Sequence, residues 1–98
     1  MLEEIRLSLD EIRHMLAQTM DAHHQFEETE LNGVYDAEWP AWYASYLLDR
    51  GLNEELKKPV TLPQLTRFLS ESNRRYEQLD KEEAWADFTA VDLIARLG

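Results

Sequence analysis

Cysteine is missing altogether from the 98 residues, which removes disulfides, thiolate metal ligands and thiol nucleophiles in one step. A cysteine-free composition fits a reducing compartment, so a cytoplasmic protein is expected. Glycine and proline number three each, too few glycines to build a loop that cradles phosphates. No apolar run approaches the roughly 18–20 residues that a membrane span needs. The opening Met-Leu-Glu-Glu-Ile is acidic and amphipathic, unlike a secretory signal with its basic start and apolar centre. Bases are the minority charge, ten against twenty acids, for a net charge of -10. Affinity for nucleic acids comes largely from Lys and Arg displacing counterions. The adjacent basic pairs here are Lys57-Lys58 and Arg74-Arg75, so neither nucleic acid nor an anionic membrane is an expected partner. Alternating β-branched runs, the signature of strands, are also missing.

What remains is helical. Leu2, Ile5, Leu9, Ile12, Leu16, Thr19, His23 and Phe26 recur at alternating steps of three and four, the period of a helix seam. Leu7, Met15 and Met20 widen that stripe, as packing in a bundle requires. One long helix over 2–30 follows, about 40 Å at 1.5 Å per residue, either a scaffold for the others or an arm into a partner. Asn32-Gly33 marks a turn. Asp36 is the expected N-cap of a second helix over 37–50, with Pro40 in its first turn and Gly51 as the residue that ends it. Leu52–Lys58 reads as a short helical or irregular connector. Thr61-Leu62-Pro63-Gln64 forms a capping box with proline in the first turn. It opens a third helix over 61–79 whose apolar face is Leu62, Leu65, Phe68, Leu69, Tyr76 and Leu79. Asp80 with Glu83 repeats the capping signal for a fourth helix over 81–97, which presents Trp85, Phe88, Val91, Leu93, Ile94 and Leu97. The expected fold is a single all-α domain over 1–98, a small antiparallel four-helix bundle with a long N-terminal helix.

The acidic excess is uneven. Residues 1–30 carry eight acids and two bases, net -6, whereas 59–98 carry seven acids and five bases, net -2. A solvated face that keeps the protein dispersed is one reading, and a patch for a basic partner or divalent cations is the other. The most unusual stretch is Trp39-Pro-Ala-Trp-Tyr-Ala-Ser-Tyr-Leu-Leu48. On a helix, Trp39, Tyr43, Tyr46 and Leu47 share one face, while Trp42 and Leu48 point elsewhere. A helix apolar nearly all round is surrounded, so the segment is core, oligomer interface or the lining of a ligand pocket. Buried Tyr hydroxyls and Trp N–H groups would each need a polar partner.

His23-His24-Gln-Phe-Glu27-Glu28 is the second candidate. His23 and Glu27 lie four apart on one face, and His24 pairs likewise with Glu27 or Glu28. Bundle metal sites use Glu-x-x-His units on two helices; here the order is reversed and the third histidine, His14, sits on the same helix. No metal ligand set and no cofactor is therefore expected. His23 reads as a buried hydrogen-bonding histidine facing the aromatic helix, and His24 as solvated. Ser8, Ser45, Ser70 and Ser72 lack a G-x-S-x-G elbow, and carboxylates such as Glu27, Glu38, Asp87 and Asp92 would pair by coincidence among twenty acids, so no catalytic residue is assigned. Ser70–Arg75 reads as an exposed face, with Asn73 bonding inward to the aromatic segment as the alternative.

His-His beside Phe-Glu, Leu31-Asn-Gly-Val-Tyr-Asp36, the run Glu38-Trp-Pro-Ala-Trp-Tyr-Ala-Ser-Tyr-Leu-Leu48 and Phe68-Leu-Ser-Glu-Ser-Asn73 together resemble an uncharacterised group of small bacterial all-helical proteins. The resemblance covers residues 23–48 and about 61–76. It implies a bacterial helical domain and brings no activity, cofactor or substrate. The expected function is a non-enzymatic helical module acting through protein contact or as a homodimer. A small-ligand or divalent-metal site between the first two helices, using His23, His24, Glu27, Trp39, Trp42, Tyr43 and Tyr46, is the alternative.

Overall fold

The structure, a computed structural model, describes residues 2–79 and 82–97, with side chains from Ser8 onward. The side chains of Leu2, Ile5 and Leu7, and the capping residue Asp80, lie outside the described residues. The protein is all-helical: α1 (Leu2–Glu30), α2 (Trp39–Asp49), a 3-10 turn (Leu52–Glu55), α3 (Leu62–Glu77) and α4 (Trp85–Leu97). No strand occurs among the described residues, and none of their helices is long and apolar enough to cross a membrane.

The helices form a ring. α1 packs against α2 and α4, and α3 packs against the same two, while the diagonal pairs α1–α3 and α2–α4 make no close backbone approach among the described residues. The run alternates in direction. Trp85 at the start of α4 bonds Asn73 near the end of α3, whereas Arg96 and Leu97 share a groove with Gln64 near the start of α3. His23 and Phe26, late in α1, meet Trp42 early in α2. The C-terminal part of α1, the start of α2, the end of α3 and the start of α4 thus converge at one end of the bundle. α1 runs about 43 Å at 1.5 Å per residue, close to the longest dimension of the molecule, 45 Å.

Seven aliphatic side chains anchor the core: Ile12, Leu16, Leu47, Leu52, Leu65, Leu69 and Leu93 have no solvent exposure. Each contributes about 1.5–3 kcal/mol relative to an exposed position. Small or short residues are buried beside these anchors: Ala44 on α2, Ser72 on α3, and Ala86, Thr89 and Ala90 on α4. This corrects two expected faces. On α3, Leu62 and Leu79 are exposed and Ser72 is buried, so Ser70–Arg75 is not simply a solvated face. On α4, Val91 is 51% exposed because the interface is read from Ala86, Thr89, Ala90 and Leu93, a stripe turned away from it.

The helix ends show why the elements stop. Asn32 and Gly33 take positive φ, 53° and 81°, and the Gly33 N–H donates back to the Glu27 carbonyl at 2.8 Å, closing α1 with a left-handed cap. Gly51, at φ 91°, does the same after α2. The Thr61–Gln64 capping box opens α3, with both reciprocal bonds present. Asp36 does not cap α2. Its Oδ1 accepts from the Glu38 N–H at 2.9 Å in the turn before the helix, and α2 starts at Trp39 with Glu38 as an N-cap making no side-chain bond. α4 likewise begins at Trp85, not 81. Between α2 and α3, Asn53 bonds Val60 twice, its Nδ2 donating to the carbonyl (3.2 Å) and its Oδ1 accepting from the N–H (2.9 Å).

Candidate functional site

His23 occupies a seam position on α1 and is 5% exposed. One turn before it, Thr19 is fully buried but satisfied, its hydroxyl donating to the Met15 carbonyl. The loop after α1 folds back so that Asp36 reaches the imidazole: Nε2 lies 2.9 Å from Asp36 Oδ2. An ionised carboxylate only accepts, so the proton sits on Nε2, with Nδ1 on the far side of the ring. Glu27, one turn after His23, accepts the Asp36 backbone N–H on Oε2 at 2.9 Å. Its other oxygen, Oε1, is 3.9 Å from His23 Nδ1, beyond hydrogen-bond distance. A His–Asp–Glu latch therefore pins the 31–38 loop to α1 and leaves one carboxylate oxygen of Glu27 uncommitted.

Around the latch stand the rings. His23 meets Trp42 edge-on at 4.9 Å and Tyr43 at 5.0 Å. Beyond Tyr43 lies a corner of three rings, each pair packed edge to face. Trp39 and Tyr43 are 4.9 Å apart at 66°, Tyr43 and Trp85 5.6 Å at 84°, and Trp39 and Trp85 6.0 Å at 81°. The Trp85 indole is oriented by Asn73, whose Oδ1 accepts its N–H at 3.2 Å. All three rings are half-buried; they pack on the core and face an open cleft of about 320 Å³. Met20, His23, Glu27, Tyr35 and Asn73 complete its walls.

The electrostatics follow from that packing. The hydrogen bond from His23 holds the Asp36 carboxyl below the ordinary carboxylate value, against the opposing effect of burial and with help from the Glu38 N–H. Burial, reinforced by the negative charge of Glu27 and by Tyr35, pushes the Tyr43 hydroxyl up to about 12. Tyr43 thus stays a neutral donor beside a carboxylate.

The expected site residues separate into two groups. His23, Glu27, Trp39 and Tyr43 come together at the cleft. Trp42 and Tyr46 do not: they stack on each other, 5.4 Å apart at 14°, outside it, with the Arg50 guanidinium 4.7 Å from the Tyr46 ring. His24 points away, its side chain 71% exposed and 3.0 Å from Glu28. The face expected to join Tyr46 to Trp39 and Tyr43 is corrected accordingly. The buried axis of α2 runs through Ala44 and Leu47, which turns Tyr46 and Trp42 progressively outward. Asp36, Tyr35, Trp85 and Met20 are cleft or latch residues that sequence reading missed. Asp36 carried a signal, a lone acid between Tyr35 and Glu38, but local chemistry assigned it to a cap. Asn73 does bond an aromatic ring, on α4 and not on α2.

The carboxylates nearest His23 are engaged with it or with backbone N–H groups. Among the described residues no group of three or more His, Asp or Glu side chains is arranged to hold a metal ion, so the divalent-metal alternative has no ligand set there. A second depression, of about 460 Å³, lies between α3 and the end of α4 and is rimmed by Lys58, Arg67, Arg75 and Arg96. Two of these cations are already committed to Asp92, Arg75 at 2.7 and 3.1 Å and Arg96 at 2.7 Å. Burial raises the Asp92 carboxyl, but these guanidinium groups outweigh it and hold the group below its ordinary value. No protein-family model matches the chain, and searches of the curated proteins and of the solved structures return no match.

Proposed function

We propose that this chain is a non-enzymatic binding module whose working site is the cleft between α1 and α2, closed on its far side by Trp85. The observation that carries the reading is that Trp39, Tyr43 and Trp85 stay half-buried around an open cleft instead of filling the core. Mostly aromatic walls with a few fixed polar groups are the usual make-up of a ligand site, and about 320 Å³ suits a small molecule or one projecting side chain. The cysteine-free composition supports a cytoplasmic setting for that role. Kinship with the small bacterial helical proteins that Glu38–Leu48 resembles belongs to the same proposal and assigns no residue a task.

The three indole N–H groups provide the test. In a fragment titration of ¹⁵N-labelled protein, signals of Trp39 and Trp85 should move together, with Trp42 moving less. Perturbations centred on Trp42 and Tyr46, or none from any fragment at millimolar concentration, would remove the cleft as the working site. Self-association is a second reading, favoured by the adjacent apolar side chains Val34 and Tyr35, 64% and 72% exposed in the 31–38 loop. It expects a dimer in sedimentation at high micromolar concentration, and a monomer there ends it.

A further inference from the structure

We infer that the cleft selects an organic ammonium group, either on a free small molecule or at the tip of a lysine side chain. This rests on the cleft being the working site and adds the chemistry of what it takes. Three features converge. Trp39, Tyr43 and Trp85, packed edge to face on one another, line the cleft with three aromatic rings, and ring faces attract a cation by their quadrupoles. Glu27 adds a negative charge whose position is fixed in advance by the Asp36 N–H on Oε2, while its Oε1 accepts no hydrogen bond among the described residues and lies 3.9 Å from His23 Nδ1. The chain as a whole carries net charge -10, with -6 of it in residues 1–30, which draws cations toward α1 and repels anions.

Competing ligands fit less well. An anion would meet Glu27 and the field of the whole chain. A purely apolar ligand would use the rings but strand the Glu27 carboxylate against hydrocarbon, which is costly. A hydrated metal ion would find one free carboxylate oxygen. An ammonium satisfies rings and carboxylate together, and an alkylated one, more weakly hydrated than a primary one, leaves water most readily. The same helix already holds one cation on an aromatic face, Arg50 over Tyr46.

The test compares choline with 3,3-dimethyl-1-butanol, which has the same shape with carbon in place of the charged nitrogen. Both are titrated into the full chain, with the Trp39 and Trp85 indole signals as readout. Choline is expected to bind about tenfold or more tightly than the alcohol, and to weaken as salt rises from low to high ionic strength. Glu27→Gln keeps an acceptor for the Asp36 N–H and should erase most of that preference while leaving the alcohol unchanged. A second variant, Trp39→Leu, should weaken both, with the fold of each variant checked by its amide spectrum. Equal binding of choline and alcohol overturns the ammonium inference and leaves the cleft as a binding site. Binding by neither, together with no response to other fragments, overturns both. A trimethyllysine peptide that binds more tightly than choline assigns the ammonium to a protein partner; the reverse order assigns it to a free small molecule.

Discussion

Removing the Asp36 carboxylate should loosen the whole cleft end of the bundle. In Asp36→Ala the backbone N–H that binds Glu27 is kept, but two acceptors are lost, the one facing Glu38 N–H and the one facing His23 Nε2. Glu38 is exposed, so its amide turns to water. His23 is 5% exposed and cannot. A buried donor left without a partner costs about 1–3 kcal/mol, and hydrogen bonds to charged groups sit in the upper half of the range. A loss of about 2 kcal/mol at pH 7 is expected, a fall in Tm of roughly 8–16 °C for a domain near 100 residues. The pH dependence has a definite sign. The folded Asp36 carboxyl lies below its unfolded value, chiefly through the His23 bond. Its stabilisation is complete above the unfolded value, about 3.9, and is lost as pH falls through the lower folded one. The gap between wild type and variant should therefore be widest near neutrality and shrink in acid. Urea melts followed by tryptophan fluorescence at pH 7, 5 and 3 measure it. A double-mutant cycle with His23→Phe isolates the pair and should give a coupling of about 1–2 kcal/mol. A neutral-pH gap under about 0.5 kcal/mol, smaller than the low end for a lost bond, or a gap as large at pH 3 as at pH 7, refutes the latch.

Other perturbations follow from the core, the caps and the cleft. Leu47→Ala empties a fully buried position on α2 and should cost about 2–5 kcal/mol in chemical denaturation. Thr61→Ala removes the capping-box acceptor of Gln64 N–H and should cost about 1 kcal/mol; no change in Tm would mean the box is decorative. Gly51→Ala forces a side chain into φ 91° with its Cβ 3.3 Å from Glu54 Oε2, so a loss of about 1 kcal/mol or more is expected. Tyr43 should ionise near pH 12, visible as tyrosinate absorbance at 295 nm that Tyr43→Phe removes; a titration finished by pH 11 in folded protein contradicts its placement.

The fold was legible where one residue type has one strong local use. Gly51 after α2 and the Thr61–Gln64 box work through backbone chemistry within four residues, and the seam of α1 repeats its apolar side chains over about six turns, so the sequence alone suffices to read them. On α3 and α4 the expected faces hold at Leu65, Phe68, Leu69 and Leu93 and fail at Leu62, Leu79 and Val91, which are exposed. The small or short residues Ser72, Ala86, Thr89 and Ala90, also buried there, carry too weak an apolar signal to be read from periodicity. At the cleft, His23, Glu27, Trp39 and Tyr43 were visible as a histidine–acid pair beside an aromatic helix. Trp85 and Tyr35 were not, because their place depends on how the start of α4 and the 31–38 loop swing back onto α1. Asp36 shows the limit most clearly: a tertiary bond to a histidine 13 positions away outcompeted the helix cap that sequence proximity offered.

The pair of hydrogen bonds between Asn53 and Val60 turns the stretch from 54 to 59 into a closed eyelet. The side-chain amide stands in for a strand partner, so the two ends of the eyelet are held together whatever lies between them. Leu56 plugs its inner side, while Lys57 and Lys58 ride on its outer rim, exposed. The α2–α3 junction is thereby insulated from its own connector. Extra residues placed between Lys57 and Lys58, even a whole foreign domain, should lengthen the rim without prying the helices apart, because closing a longer surface loop costs little once its base is tied. The eyelet is the natural attachment point for a reporter on this protein, on the opposite side of α2 from the helix start that carries Trp39.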